Sequence, residues 1–495
     1  MNKKIIHIET LGCRLNQIES ESVASFFTSS DYVVQMQSIT NAQKENLDVI
    51  CSIVNTCTVT SKAEQKARRI IRLILKKYPN SICLVTGCYA QVNKEEISNI
   101  DDRILVIPGR VKSRLINVPK LIKEFCDCES SVNIADLKKY LELNLCKNEE
   151  TEVSENAFLL STDNLIKHSR ASIKIQDGCN NRCSYCEICI ARGKSVSLDV
   201  EEILKQIQKI KASGLKEVVF TTVNIAQYFG KYKNSFVNIA GLLEILLKET
   251  TGINFRFSSL YPQIVDEKFA NLIIDKRVAP HFHLSVQSGS DNILQKMNRP
   301  NKAQTVINAV KLLRQARPEA FIACDIIAGF PTETEEDFCQ TKKILSECDF
   351  TFVHSFPFSP RPNTVAFNLK PKVIESVTRE RVNYLIDFSI NQKIKYIKKI
   401  AGTVRSAIVE NTFNKVKVGK NSELCESASN VENLGQREQL FYFNCVTDNF
   451  LHCVVYVKDK NLIPSSKSLI NVRIIKPLED RIRTSQEYDC LAELV

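Results

Sequence analysis

What the 495-residue sequence lacks narrows its class before any motif is read. No apolar run approaches the roughly 20 residues that a membrane-spanning helix needs. After Lys3 and Lys4 the opening segment has no sustained apolar stretch, because His7 and Glu9 interrupt it, so no secretory leader is expected. No long-range repeat and no low-complexity tract occurs. A soluble, cytoplasmic protein with no membrane attachment is the expectation.

The chain is too long for one ordinary domain, so about two to four are expected. Hydrophobic residues make up 44% and charged residues 25%, enough apolar material for real cores in a folded, charged surface. Lys and Arg exceed Asp and Glu by 67 to 56, a net charge of +11. That surplus suits a polyanionic partner such as nucleic acid, although solubility alone accounts for it equally well. Nineteen cysteines are many for a reducing compartment, where disulfides are disfavoured and clustered cysteines bind metal or do redox chemistry. Cys83, Cys324 and Cys453 sit in apolar runs and read as small core residues.

Residues 1–125 alternate strands and helices. IIHIET, DVICSIVNT and SICLVTG have strand length. Between the last two, Ala63, Ala67, Ile70, Ile71 and Ile74 share one helical face, with Ser61 and Glu64 spaced as a capping box and Pro79 past the end. This pattern predicts a parallel sheet. Residues 126–166 read as an acidic connector with some helix around Leu137–Leu145. Residues 167–398 alternate again: SIKIQ, EVVFTTVN, NFRFSSL, HFHLSVQ, FIACDIIAGF and FTFVHSFPFS are six strand candidates, which suggests a partial or complete βα barrel. In 399–480 four closely spaced strands without helices suggest a small antiparallel β-barrel. Residues 481–495 read as a peripheral tail. The fold class is therefore α/β, with a small all-β domain after it.

Two cysteine sets carry the chemistry. In DGCNNRCSYCEICIARG, Cys179, Cys183 and Cys186 follow a strand at C-x3-C-x2-C spacing. Three thiolates on a four-iron cubane leave one iron without a protein ligand. That iron can chelate S-adenosylmethionine (SAM), and an electron from the cluster then releases a 5′-deoxyadenosyl radical. Cys189 offers a fourth thiol, so a structural zinc site or a closed electron-transfer cluster also fits this loop. The aromatic Tyr185 before the third cysteine favours the radical enzyme. The second set, Cys13, Cys57 and Cys88, lies in TLGCRLNQIES, VNTCTVT and VTGCYAQ. Each follows an apolar strand, and strand ends of an open parallel sheet converge on one crevice. Spacing alone does not distinguish this set from free cysteines on loops.

Taken together, these strings resemble the methylthiotransferase family of radical SAM enzymes over nearly the whole chain. TLGCRLNQIESE, VNTCTVTSKAEQKARR and VTGCYAQ resemble the family's amino-terminal domain, and KIQDGCNNRCSYC with the following ARG resembles its radical loop. HFHLSVQSGSDNILQKMNR, DIIAGFPTETEEDF and HSFPFSPRPNTVA resemble later barrel elements. The carboxy-terminal β region resembles the RNA-gripping TRAM domain. LGCRLNQIES, NTCTVT and HLSVQSGS look most like the branch that modifies N6-threonylcarbamoyladenosine in tRNA, just 3′ of the anticodon, in its bacterial form without a membrane anchor. The other branches modify isopentenyl-adenosine in tRNA or a ribosomal-protein aspartate. A non-catalytic, metal-containing RNA-binding protein is the reading from a different class.

The resemblance implies that Cys13, Cys57 and Cys88 hold an auxiliary 4Fe-4S cluster, and that Cys179, Cys183 and Cys186 hold the SAM-binding one. It implies SAM as both methyl donor and radical source, an external one-electron reductant, tRNA as partner, a sulfur donor that is not identified, and replacement of hydrogen by methylthio at carbon 2 of the adenine. Candidate SAM contacts are Tyr185, Gln287, Ser288, Asp325, Gly329 and Phe330. For RNA the candidates are Arg405, Lys415, Lys417 and Lys420, with Phe441 and Tyr442 as possible stacking residues. The helix 62–77 bears seven Lys and Arg residues and reads as a solvated face. His281 and His283 share a strand face and read as structural. The chain departs from the family pattern at Cys189 (a proline in IIPYARG), Leu198, Thr222, Ala226 and Asn363, which touches cofactor positioning and turnover rather than the cysteines.

Overall fold

The computed structural model describes residues 4–128, 133–147, 154–161, 169–417, 439–486 and 488–495, with backbone alone for 411–417 and 439–440. Strands Ile5–Thr10, Val33–Gln35, Val49–Thr56, Ile82–Gly87 and Ile104–Val106 form one parallel sheet. Counted along the chain, their spatial order is 2-1-3-4-5. Period-2 alternation explains why both faces are covered. Cys51, Ile53, Ile82, Leu84 and Leu105 pack on one face with Phe27, Ile122 and the helix Ile134–Leu145. Val54, Cys83, Val85, Ile104 and Val106 pack on the other with Ile70, Ile71 and Ile74 of the helix Ser61–Lys77. The connector's helix therefore belongs to the first core through Leu137, Leu141 and Leu145. One expectation fails here: the N-cap is Thr60, whose side chain accepts from Ala63, and Glu64 turns away from the cap to meet Arg361.

Register places the first cysteine set. Thr10 lies beside Asn55, and Thr56 lies beside Gly87. Three strand ends thus finish level, and Cys13, Cys57 and Cys88 come one to three residues later. The first and third strands flank the point where strand order reverses, the place where ligands sit in such sheets.

The central domain has the six expected strands. Ala171–Lys174, Glu217–Thr221 and Asn254–Phe257 form one parallel sheet, and His281–Gln287, Phe321–Ala328 and Phe352–Pro357 form another. A bridge between Leu260 and Leu284 joins them into a partial barrel. Alternation again sets the faces. Ile173, Phe220, Phe255, Leu284, Ile326 and Val353 join the outer apolar core, which leaves Lys174, Thr221, Arg256, His283, Asp325 and His354 on the inner side of their strands.

The carboxy-terminal strands Val404–Lys417, Gln439–Thr447, His452–Val457, Leu469–Pro477 and Cys490–Leu494 form a closed barrel. The last of these lies in what reads from sequence as a peripheral tail. Its residues Cys490 and Ala492 are buried, and it pairs with two other strands, so it closes the barrel. The barrel plugs one end of the central domain. Phe450, at φ 70°, places its ring 4.5 Å from that of His281 and under the guanidinium groups of Arg170 and Arg256.

A buried ionic network joins the first two domains. Glu19 accepts from Lys112 at 2.6 Å, Lys174 at 3.0 Å and Arg192 at 3.2 Å. Asp177 accepts from Lys174 at 2.8 Å and Arg192 at 2.9 Å. Burial alone raises the Glu19 carboxyl, but the three cations outweigh it and hold it down at about 2.

Two outcomes follow. Because folding lowers the Glu19 carboxyl, the unfolded chain takes up this proton first, near its free value of roughly 4.3. Urea unfolding from about pH 5 down to 3 will therefore show stability falling with pH. Glu19→Gln will flatten that slope and cost about 3–5 kcal/mol at neutral pH, since it strips buried cations of their partner. A wild-type chain with no slope in this window contradicts the assignment. Ending the chain at Gln486 will open the carboxy-terminal barrel: limited proteolysis will cut within 404–477 faster, while the first sheet stays protected.

Candidate metal and cofactor site

The three strand-end cysteines stand within electrostatic reach of one another. Burial pushes the Cys57 thiol up to about 12; an amide hydrogen bond from Val59 opposes that rise, and Cys88 and Cys13 add to it. Burial likewise raises Cys88, with Arg192 and Lys112 pulling it down. Gly12, at φ 105°, lets the chain pass against Cys57: a Cβ there would lie 2.5 Å from the Cys57 Cβ. Asn16 ties the level strand ends together. Its Nδ2 donates to the Leu11 carbonyl at 2.8 Å and the Thr56 carbonyl at 3.0 Å, while its Oδ1 accepts from Arg192 at 2.8 Å.

The second set lies on the loop after the strand Ala171–Lys174. Gly178, at φ 72°, turns the chain into Cys179; a Cβ there would fall 2.1 Å from the Lys194 carbonyl oxygen. Each of the three sulfurs has an N–H donor at sulfur hydrogen-bond distance. Asn224 Nδ2 donates to Cys179 at 3.5 Å, Arg299 Nη1 to Cys183 at 3.8 Å, and the Ile188 amide to Cys186 at 3.5 Å. Arg299 is buried, donates to the Ser285 carbonyl and lies 4.5 Å over the Tyr261 ring, which fixes its direction. Cys189 is within electrostatic reach of Cys179 and Cys186. Burial pushes Cys186 up to about 12, the Ile188 amide opposes that rise, and the neighbouring cysteines add to it.

The donor chemistry of both sets fits an iron–sulfur cubane: three thiols each, on loops held by buried hydrogen bonds. Among the described residues, no three Cys, His, Asp or Glu side chains are set to hold a single metal ion. A cubane takes its three thiolates on three different irons, so its ligands stand further apart than those of one ion.

A cavity of about 290 Å³ opens beside the second loop. It is lined by Thr58, Val59 and Thr60 of the first domain and by Tyr185, Cys186, Gln287, Asp325, Phe356 and Phe358 of the second. Three of the six sequence-derived cofactor candidates are therefore here: Tyr185, Gln287 and Asp325. Gln287 is at φ 75°, a strained value for a side chain of this kind, and Asp325 lies 2.9 Å from His283 Nε2. The other three do not line it. Phe330 is fully buried among Ile293, Met297 and Ala366. Ser288 is fully buried, with its hydroxyl accepting from the Ser290 amide. Gly329 donates its amide to Glu333 and abuts Thr378. These are turn-building residues, and the strand-end position that suggested them also serves packing.

A second buried bracket crosses the domains. Arg361 donates to Glu187 Oε2 at 2.8 Å, to Thr58 at 2.7 Å and to Glu64. Sequence reasoning missed Arg361, Asn224 and Arg299, because their partners are distant in the chain. Among the RNA candidates, Arg405 is committed to Asp448 at 2.9 Å and is 12% exposed, so it is not a free phosphate-binding cation. Lys415 and Lys417 lie on the strand Val404–Lys417, with side chains outside the described residues, and Lys420 is also outside them. No helix of the described residues is long and apolar enough to cross a membrane.

Residues 173–345 match the Radical SAM superfamily, and residues 5–109 match the Uncharacterized protein family UPF0004. Threonylcarbamoyladenosine tRNA methylthiotransferase MtaB of Treponema pallidum is 40% identical, over 83% of this chain and 92% of that protein. The Aquifex aeolicus protein of the same name is 32% identical, over 88% and 97%. The tRNA-2-methylthio-N(6)-dimethylallyladenosine synthase of Yersinia pseudotuberculosis is 31% identical, over 84% and 83%. With likeness of this extent, running through the first sheet and the second cysteine loop alike, the chain belongs to the radical SAM methylthiotransferase family that includes MtaB.

Proposed function

We propose that the chain acts on tRNA, converting N6-threonylcarbamoyladenosine just 3′ of the anticodon into its 2-methylthio derivative. The observation that carries this reading is the pairing of two cysteine triads across one buried junction, Cys13, Cys57 and Cys88 on level strand ends and Cys179, Cys183 and Cys186 on the adjoining loop. Each triad suits a 4Fe-4S cluster with one iron free of protein ligands. When bound, these clusters and SAM supply the electron transfer, the radical and the methylthio group.

The chain's own residues bind and orient. Asn224, Arg299 and the Ile188 amide direct donors at the three loop sulfurs, which fixes the loop and favours ionised thiols. Tyr185, Gln287 and Asp325 offer polar groups to SAM at one side of the cavity. Val59, Phe356 and Phe358 give apolar walls suited to a purine, and the bracket of Arg361 with Glu64 and Glu187 holds the domains together beside it. Lys415, Lys417 and Lys420 on the carboxy-terminal barrel, with the +11 net charge, supply phosphate contacts to the tRNA. An external one-electron reductant and a sulfur donor complete the reaction.

The choice of threonylcarbamoyl-adenosine rests on the names of the relatives at 40% and 32% identity and on the motifs they share. The relative at 31% gives the second reading, in which the base carries a dimethylallyl group.

Anaerobic reconstitution will load about eight irons per chain, as two cubanes. Mass spectrometry of tRNA nucleosides after reaction will show 2-methylthio-threonylcarbamoyladenosine. Appearance of only the dimethylallyl product overturns the substrate, and zinc in place of iron overturns the class. Cys183→Ala will abolish 5′-deoxyadenosine release, whereas Cys189→Ala will retain it. Asn224→Ala and Arg299→Met will keep their iron and lose about 10- to 100-fold in that release, the usual cost of losing an outer partner of a metal ligand.

A further inference from the structure

The buried network at the domain junction is not charge-balanced. Lys112, Lys174 and Arg192 face Glu19 and Asp177, three cations against two anions, all buried. Nearby Glu21 does not restore the balance, because its charge is set against Arg14. The bracket of Arg361 with Glu64 and Glu187 has the opposite surplus, but it stands at the cavity, and the groups acting on Arg192 are Asp177, Glu19, Cys88 and Cys13. Lys112 and Arg192 both act on Cys88. An unmatched buried cation costs several kcal/mol, so a fold keeps one only where something anionic meets it.

We propose that Lys112 is a counter-charge for the thiolates of Cys13, Cys57 and Cys88, its surplus positive charge being matched only when those thiols are ionised around a bound cluster. This rests on the reading of the three cysteines as cluster ligands. Lys112 is the member that can be spared structurally. Its ammonium meets Glu19 at 2.6 Å, yet Glu19 keeps Lys174 and Arg192 without it. In the metal-free chain, burial lowers the Lys112 ammonium, and Arg192 beside it lowers it further, which marks it as the disfavoured charge of the five. It is a positioning residue in this sense: it sets the field at the cluster and touches no substrate.

The test compares wild type, Lys112→Met and Lys112→Arg as full chains. After anaerobic reconstitution, each cluster's midpoint potential is read by redox titration followed by electron paramagnetic resonance. Removing the cation makes reduction of the strand-end cluster harder. The expected change is about tenfold in the reduced-to-oxidised ratio at a fixed potential, or about 59 mV for one electron. The loop cluster's potential shifts less, and Lys112→Arg restores the wild-type value. Metal-free chains are then melted. With no thiolates to match, Lys112→Met melts at or above the wild-type temperature, whereas a simple ion-pair partner would leave the variant less stable. A lower melting temperature in the metal-free variant, or two intact clusters with unchanged potentials, overturns the counter-charge role. Wild type that loads only about four irons sinks the two-cluster reading, and this proposal with it. A variant that folds but loses the strand-end cluster alone, regained with Lys112→Arg, supports the same conclusion.

Discussion

The structure depends on the contact between Arg192 and the first domain. One guanidinium bonds Asn16, Glu19 and Asp177 at once. Asn16 in turn bonds the Leu11 and Thr56 carbonyls, beside Cys13 and Cys57. Asp177 lies two residues before Cys179 on the other side. One buried side chain therefore sets both cysteine sets in a single frame. Arginine suits the role because its planar fork bonds several acceptors in fixed directions, which a lysine ammonium does not. The cost of burying such a group is met only if every partner is in place, so the junction is all-or-none.

From that frame the remaining geometry follows. The helix Ile188–Arg192 packs against the helix Cys88–Val92, which draws the third strand-end cysteine toward the loop. Arg361 makes a second crossing through Glu64 and Glu187, and the cavity opens between the two crossings, with walls from both domains. The carboxy-terminal barrel closes the far end by seating Phe450 under Arg170 and Arg256. The cavity is thus bounded by ionic brackets rather than by one continuous apolar core.

Much of the fold is legible in the sequence, because strand alternation and the amphipathic face of Ser61–Lys77 are local signals. The cysteine triads are legible because their spacing and their strand-end placement are also local. What escaped reading depends on distant partners. Glu64 looks like a capping residue until Arg361, far along the chain, claims it. Cys490–Leu494 looks peripheral because a five-residue strand has little pattern of its own, and only pairing with His452–Val457 and Leu469–Pro477 defines it. Phe330 and Ser288 sit at strand ends, where ligands bind, yet their side chains point into packing. Arg405 shows the converse: a basic residue on an RNA-binding-like barrel is consumed by Asp448, which a count of charges does not reveal.

The central claim is that two cysteine triads with separate tasks share one junction. The most direct measurement takes the chain with Cys13, Cys57 and Cys88 all replaced by alanine, reconstitutes it anaerobically, and follows iron content, 5′-deoxyadenosine and methylthio-nucleoside together. The account predicts about four irons, retained SAM cleavage and no methylthio product. Methylthio product from this variant, or loss of SAM cleavage with the loop cluster intact, would contradict it.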